Sequence, residues 1–218
     1  MDFKLNTAKT DKEIAEYDKL IEEQEKAEKE KRLQERFENS GIGKRYFDKT
    51  KADFLTDTPE RKRAYDKAIA YIQDIKDGKS CDLWMCGTAG TGKTLLGAII
   101  TRECAVTYRK SYELISEIRR AKSYSESESD MDCIDRYGNY KLLVIDEVGK
   151  DTSLREEERA ILFQVIDKRY ENMKPTVIIS NSTAKGLADY LGEHTTDRCA
   201  ESGRSITFTG NSYRRGRQ

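Results

Sequence analysis

The stretch GTAGTGKT, residues 87–94, decides the fold of this chain. It matches the pattern GxxxxGK[ST] at each fixed position, follows the apolar run DLWMC and opens a helix-forming segment. Glycines let backbone N–H groups turn inward around phosphate oxygens, and the N-terminus of the following helix favours negative charge there. The stretch therefore predicts nucleotide binding, with a purely structural glycine-rich turn as the alternative.

Two side chains at the end of this stretch have defined chemistry in such a loop. Lys93 can reach the β- and γ-phosphates of ATP, and the Thr94 hydroxyl can ligate Mg²⁺. ATP and Mg²⁺ are thus the predicted cofactors. The candidate nucleotide-binding residues of the loop and the start of its helix are Gly87, Thr88, Ala89, Gly90, Thr91, Gly92, Lys93, Thr94 and Leu95.

A second apolar run, LLVI at 142–145, ends in two adjacent carboxylates. It predicts a buried strand that carries Asp146 to the phosphate end of a sheet, where it can hold Mg²⁺ together with Thr94. Glu147 follows directly and is placed to polarise the attacking water. The alternative is an acidic strand end that caps the next helix.

A third apolar run, PTVIIS at 175–180, is followed by Asn181. At the end of a neighbouring strand, this amide could bridge the γ-phosphate of ATP and the attacking water. Asparagine is also common at strand ends merely because it forms turns. We therefore add Asn181 to Glu147 as a candidate catalytic residue only because the two preceding runs end in matching chemistry.

The region from residue 56 onward alternates short apolar runs with helical segments. This order predicts a parallel sheet with helices on both faces, and the fold class is α/β with five parallel strands. The first helix of this region is bounded by the cap Thr58, by Pro59 at its first position and by Gly78 after its end. Residues 123–139 are polar and acidic, and we expect a loop with a short helix there.

The N-terminal part, residues 1–55, is predicted to be a helical arm and linker. Residues 11–38 form one helical segment, in which Ile14, Tyr17, Leu20 and Ile21 make a short apolar stripe. The remainder is polar on every side, so the sequence predicts that removing residues 1–38 leaves the ATPase core folded. The stripe could bind a partner, or it could pack against the chain's own core.

Composition narrows the classes of function further. Forty basic and forty acidic residues cancel, so any nucleic-acid surface must be a local patch. The five cysteines and single histidine lack metal-binding spacing, which indicates reduced thiols in the cytoplasm. No apolar run reaches the length of about 20 residues that a membrane span needs.

The motifs GTAGTGKT, LLVIDEVG, IISN, LGEHTTDR and NSYRR, in this order, resemble AAA+ helicase loaders of the bacterial DnaC type. Related phage-encoded loaders and IstB-type transposition ATPases share the pattern, which covers residues 40–218. The resemblance implies an AAA+ P-loop domain at 56–218, without a separate C-terminal lid. It also implies that Arg198 is an arginine finger for the neighbouring subunit and that Arg214 contacts nucleotide in its own subunit.

The same resemblance implies that the helix after the second strand lines a channel for single-stranded DNA. An ordinary charged surface helix is the alternative, with Leu114, Ile115 and Ile118 turned to the core. The candidate DNA-binding residues, chosen as phosphate contacts or base-stacking rings, are Lys110, Tyr112, Arg119, Arg120, Lys122 and Tyr124.

The implied function is ATP-dependent loading of a replicative helicase of the DnaB type onto single-stranded DNA. The arm would bind the helicase, and the AAA+ domains would associate with one another into a spiral around DNA, with no membrane involved. Two alternatives remain open from the sequence. One is a transposition helper of the IstB type, and the other is an ATP-binding adaptor whose hydrolysis is incidental.

Overall fold

The computed structural model of the chain describes residues 11–124, 128–149, 156–210 and 212. Over these ranges the chain forms eight α-helices and one five-stranded sheet. The helices are α1 (Asp11–Glu38), α2 (Pro59–Lys76), α3 (Lys93–Cys104), α4 (Ser111–Tyr124), α5 (Asp130–Asn139), α6 (Glu156–Glu171), α7 (Ala184–Leu191) and α8 (Glu193–Ser202). The strands are β1 (Leu83–Gly87), β2 (Thr107–Lys110), β3 (Leu143–Asp146), β4 (Thr176–Ile179) and β5 (Arg204–Phe208).

The sheet has the strand order β2-β3-β4-β1-β5, and every pairing in it is parallel. The predicted fold class is therefore confirmed. Because β4 lies between β1 and β3, the three strands that carry the predicted motifs are direct neighbours. Parallel strands end at the same edge of a sheet, so the loops that follow β1, β3 and β4 meet there.

Local signals set the helix boundaries where the sequence predicts them. The Thr58 side chain accepts a hydrogen bond from the Arg61 amide at 3.3 Å, and Pro59 occupies the first position of α2. Gly78 follows the helix with a φ of 82°, a left-handed conformation that suits a residue without a Cβ. On α1, Glu28 and Arg32 lie four residues apart and form an ion pair at 2.5 Å.

The core consists of two apolar layers, one on each face of the sheet. Helices α2 and α3 cover one face, and helices α4 to α8 cover the other. Strand β3 shows the division, since Val144 packs into the first layer while Leu143 and Ile145 pack into the second. All three side chains are fully buried, as an interior strand of a covered parallel sheet requires.

Helix α5 makes a larger contribution than its polar sequence suggests. Cys133, Ile134 and Tyr137 are at most 3% exposed and belong to the second core layer. The helix begins at a capping box in which Ser129 and Asp132 each bond the other's backbone amide. The short helix expected within 123–139 is thus a structural part of the domain.

The end of α1 and the connection after it pack against the ATPase core. Phe37, Ile42 and Phe54 are 0%, 4% and 5% exposed and lie in the first core layer. The Arg102 guanidinium on α3 stacks over the Phe37 ring at 4.4 Å. The premise that residues 1–38 contribute little apolar surface to the core is therefore wrong at the C-terminal end of this segment, because Phe37 is a core residue.

Candidate functional site

The loop between β1 and α3 encloses the Lys93 ammonium group. Lys93 is only 4% exposed, and its Nζ donates hydrogen bonds to the carbonyl oxygens of Gly87 at 2.8 Å and Thr88 at 2.7 Å. The Thr91 hydroxyl donates to the Thr88 carbonyl as well, at 2.8 Å. These bonds fold the loop back on itself and place a positive charge at the N-terminus of α3, where an anion is favoured.

Gly87 is required at the point where β1 enters the loop. Its φ of 127° lies in the region that side chains rarely adopt, and an added Cβ would sit 2.1 Å from the Phe208 carbonyl oxygen. The amide of Thr88 donates to that same carbonyl at 3.0 Å. The end of β5 therefore contacts the first turn of the loop directly, which only a residue without a side chain permits.

The Asp146 carboxylate lies at the end of β3 and is 3% exposed. Its Oδ1 accepts a hydrogen bond from the Glu147 amide at 2.6 Å, and its Oδ2 accepts one from the Tyr108 hydroxyl at 2.5 Å. The sequence gives no sign of this role for Tyr108, because a tyrosine within a short strand resembles an ordinary core residue. Burial and the charge of Asp146 raise the pKa of Tyr108 far above its ordinary value, so this hydroxyl remains a donor.

Glu147 has a left-handed backbone conformation, with a φ of 61°. This conformation is uncommon for residues other than glycine and is found most often where function requires a particular side-chain direction. The Ser111 hydroxyl at the start of α4 donates to the Glu147 carbonyl at 3.1 Å, and the Val148 amide donates to Ile179 at 3.0 Å. The turn that carries Glu147 is thus fixed from both neighbouring strands.

Thr94 and Asp146 supply the donor set that Mg²⁺ uses in nucleotide sites. A hydroxyl from the first turn of α3 and a buried carboxylate from β3 are oxygen ligands, and Mg²⁺ commonly takes only one or two protein ligands beside phosphates and water. The part of the chain that the structure describes holds no group of three histidine, cysteine or acidic side chains arranged for a metal ion. A hydroxyl and a carboxylate are oxygen donors of the kind that fit Mg²⁺ bound together with phosphates.

The loop after β4 is bonded to the start of the nucleotide-binding loop. The Gly87 amide donates to the Ser182 carbonyl at 2.9 Å, so Asn181 lies one residue from a direct contact with the glycine-rich stretch. Asn181 itself is exposed, whereas Ser180 is buried and donates to the Val148 carbonyl at 2.7 Å. The structure thus brings the Asn181 segment to the same edge of the sheet as the loop and Asp146.

Arg198 lies on α8 and contacts α6. Its guanidinium forms an ion pair with Asp167 and stacks over the rings of Phe163 at 5.4 Å and Tyr170 at 5.3 Å. About a third of the side chain is exposed, at 31%. The structure therefore places Arg198 on the surface that α6 and α8 share, where a neighbouring molecule can reach it.

Arg214 lies outside the described residues, but Ser212 is described and close to the loop. A Cβ added to Gly90 would meet the Ser212 hydroxyl oxygen at 2.1 Å. The chain therefore crosses the glycine-rich loop two residues before Arg214.

The basic residues of α4 have unequal surroundings. Arg119 bonds to Glu158 at 2.8 Å and to Glu157 at 3.4 Å, and Lys122 lies 3.9 Å from Glu157.

Two other candidate residues on α4 are exposed, namely Arg120 and Tyr112, which has 54% of its surface exposed. Lys110 lies 5.6 Å from the Tyr112 ring centre, while the Tyr124 side chain lies outside the described part of the chain. Leu114, Ile115 and Ile118 face the core.

This sheet order, with a GxxxxGK[ST] loop after β1 and an Asp-Glu pair after β3, defines a P-loop ATPase of the AAA+ class. The family model described as "IstB-like ATP binding protein" matches residues 3–218, and the chain belongs to this family. The protein is accordingly an ATP-binding ATPase. Among the described helices, none is long and apolar enough to cross a membrane.

Three similar proteins illustrate the range of this group. The replicative helicase loader DnaC of Escherichia coli K12 is 28% identical over 189 residues, covering 84% of this chain and 76% of DnaC. An ATP-binding protein of insertion sequence IS232 from Bacillus thuringiensis subsp. berliner is 30% identical over 138 residues, covering 59% of this chain and 53% of that protein. A crystal structure of the DnaC helicase loader has a TM-score of 0.68 at 19% identity, covering 76% of this chain and 99% of that one.

Proposed function

We propose that this protein is an ATP-dependent loader that places a replicative helicase of the DnaB type on single-stranded DNA. The observation that carries the proposal is the similarity to a helicase loader over most of both chains, which includes more than the ATPase motifs. The apolar stripe on α1 is a candidate surface for the helicase.

The apolar stripe on α1 faces solvent in this chain. Tyr17, Leu20 and Ile21 are 53%, 51% and 36% exposed, although they occupy one face of the helix at helical spacing. These exposed apolar side chains, which span just over one turn of an otherwise charged helix, suit insertion into an apolar groove of a partner. The alternative in which the stripe packs into the chain's own core finds no support in these exposures. Residues 1–55 keep the proposed role of helicase-binding arm, although the last part of this segment also supports the core.

The nucleotide site works through preorganised charges. Lys93 and the amides of the glycine-rich loop bind the phosphates, and Thr94 and Asp146 would hold Mg²⁺, which would neutralise phosphate charge when it is bound. Glu147 orients and polarises the attacking water, and Asn181 helps to fix that water against the γ-phosphate. The position of these residues at one edge of the sheet supports these proposed roles.

Hydrolysis in this proposal needs a second copy of the chain. In this proposal Arg198, whose side chain is 31% exposed on the surface formed by α6 and α8, enters the nucleotide site of a neighbour in a self-associated spiral. Arg214 acts within its own subunit, since the described chain passes Gly90 two residues earlier. Single-stranded DNA contacts the end of β2 and helix α4 in this proposal. Lys110, Tyr112, Arg120 and Lys122 are the best-presented of the candidate residues there, whereas Arg119 is partly neutralised by Glu158.

The experiment is a loading assay with circular single-stranded DNA and the replicative helicase of the same host. Helicase that co-elutes with the DNA circle is measured with no loader, with the wild-type chain and with Lys93→Ala, each in the presence of ATP. The proposal predicts retention of the helicase with the wild-type chain only. Equal retention without the loader, or none with it, contradicts the proposal.

A transposition helper is the second candidate, and the insertion-sequence relative is the observation that favours it. The ATPase site would be the same, but the partner would be a transposase on double-stranded DNA. The loading assay separates the two candidates when it is repeated with the transposase in place of the helicase. Stimulation of strand transfer without helicase retention would favour the transposition role.

A further inference from the structure

Tyr108 on β2 lies outside the sequence motifs, and its hydroxyl contacts the Asp146 carboxylate. The Tyr108 hydroxyl approaches Oδ2 at 2.5 Å, and the Glu147 amide approaches Oδ1 at 2.6 Å. Each oxygen thus has its own donor, one from β2 and the other from the turn that follows β3. Together they fix the rotation of the carboxylate about its Cβ–Cγ bond.

The ring of Tyr108 is held by packing that does not depend on its hydroxyl. Tyr108 is 1% exposed and belongs to the first core layer. Its Cε2 atom lies 3.8 Å from the position that a Cβ would take at Gly97, one turn after Lys93 and Thr94 on α3. The ring therefore lies between α3 and the sheet, and its hydroxyl reaches Asp146 at the end of β3.

The backbone of Tyr108 is fixed on both sides as well. On one side β2 pairs with β3, with Tyr108 opposite Val144. On the other side the Tyr108 amide donates to the Ser40 carbonyl at 2.8 Å, so the segment after α1 covers the outer edge of the strand. A hydroxyl whose ring and backbone are both fixed is a rigid donor, which is what a positioning role requires.

We propose that Tyr108 is a positioning residue that holds the Asp146 carboxylate in the rotation needed to bind magnesium with ATP. The inference rests on the proposed role of Asp146 as a ligand of Mg²⁺. Magnesium demands nearly ideal octahedral geometry, so a ligand that rotates freely binds it less well. Partners that orient a metal ligand are commonly worth about 10–100-fold in metal affinity.

The test compares Tyr108→Phe with Tyr137→Phe as a matched control. Tyr137 is also fully buried, in the second core layer, and donates to a carboxylate at 2.5 Å, but its acceptor is Glu117 on α4. Binding of a fluorescent ATP analogue is measured in EDTA and over a Mg²⁺ titration, with folding checked by circular dichroism. We expect Tyr108→Phe to raise the Mg²⁺ concentration for half-maximal enhancement of binding by about 10-fold. The affinity of Tyr108→Phe for the ATP analogue in EDTA should match that of the wild-type chain. For Tyr137→Phe, both this affinity and the Mg²⁺ concentration for half-maximal enhancement should match the wild-type values.

The other outcomes each have one meaning. Three results for Tyr108→Phe would overturn the positioning role. They are a wild-type Mg²⁺ dependence, an equal loss of ATP-analogue affinity in EDTA and in Mg²⁺, and the absence of a stable fold. Asp146→Asn in the same titration tests the underlying assignment separately. If Asp146→Asn loses the Mg²⁺ enhancement while Tyr108→Phe keeps it, the Tyr108 inference fails and the metal-ligand role of Asp146 stands. If Asp146→Asn keeps the enhancement, the metal-ligand role itself fails.

Discussion

The carbonyl oxygen of Ser40 accepts a hydrogen bond from the amide of Tyr108 at 2.8 Å, and the same tyrosine donates its hydroxyl to Asp146. One residue of β2 therefore contacts both the segment that follows the arm and the carboxylate at the nucleotide site. The Arg109 guanidinium adds a second bond to Ser40, at 3.0 Å. The base of the arm is thus attached to the ATPase domain at the edge of the strand that supports Asp146.

This attachment predicts different results for two truncations of the arm. Removing residues 1–32 should leave the melting temperature almost unchanged, because the side chains from Glu16 to Lys31 are exposed. Removing residues 1–38 also deletes Phe37, and losing a fully buried phenylalanine costs about 3–5 kcal/mol of unfolding free energy. Thermal melts of both truncations check this difference, and equal melting temperatures would contradict the core role of Phe37.

Replacing Glu147 by glutamine should separate ATP binding from hydrolysis. The substitution keeps the left-handed backbone and the size of the side chain, but it removes the carboxylate that polarises water. We expect ATP affinity to persist and turnover to fall by about 10²–10⁴-fold, the usual contribution of a general base. Lys93→Ala serves as the comparison and should lose binding as well. Phosphate release at the wild-type rate from Glu147→Gln would show that another group activates the water.

Arg198→Ala should lower turnover of the assembled protein while nucleotide affinity of the monomer stays nearly unchanged. An arginine supplied by a neighbour is worth about 10³–10⁵ in rate in well-studied NTPases, and we expect a smaller factor from a slow loader. Mixing Arg198→Ala with Lys93→Ala chains creates some interfaces with one intact site and one intact finger. Turnover should therefore partly recover in the mixture. Assembled mixtures that stay inactive at every ratio would rule out action between subunits.

The carboxyl of Asp82 predicts a pH dependence of stability. Burial raises its pKa from 3.8 to about 6, although its Oδ1 accepts a hydrogen bond from the Thr176 amide at 2.6 Å. The folded state therefore binds a proton more tightly than the unfolded chain, so this stabilisation is full below pH 3.8 and is lost as the pH rises through about 6.

An asparagine at position 82 keeps the acceptor oxygen without the charge. Asp82→Asn should therefore raise the unfolding free energy at pH 8 by about 1–3 kcal/mol, and the difference should vanish near pH 3.5. Chemical denaturation of both proteins at several pH values measures it. A difference that grows toward acid would contradict the raised pKa.

Much of the fold could be predicted because its signals are local. The cap at Thr58, the glycine-rich loop and the apolar runs each occupy a few consecutive residues, and their outcome agrees with the structure. The contacts that the sequence did not reveal join distant segments. Tyr108 and Asp146 are 38 positions apart, and Arg198 meets Asp167 across two helices. The burial of Phe37 was missed for the same reason, since a polar helix gives no local sign that its last turn reaches a core.

Binding of a replicative helicase by α1 can be tested directly by capturing the helicase with paired variants of the helix. Tyr17→Ala with Leu20→Ala removes exposed apolar side chains, while Lys19→Ala with Lys26→Ala changes the opposite face of the same helix. Co-purification of the host replicative helicase is measured for both variants beside ATP binding and melting temperature. We expect that Tyr17→Ala with Leu20→Ala abolishes capture of the helicase and that the lysine variant does not. ATP binding and melting temperature should be unchanged in both variants. If the Tyr17→Ala, Leu20→Ala variant captures the helicase undiminished, or if the wild-type chain captures none, α1 is not the helicase-binding helix.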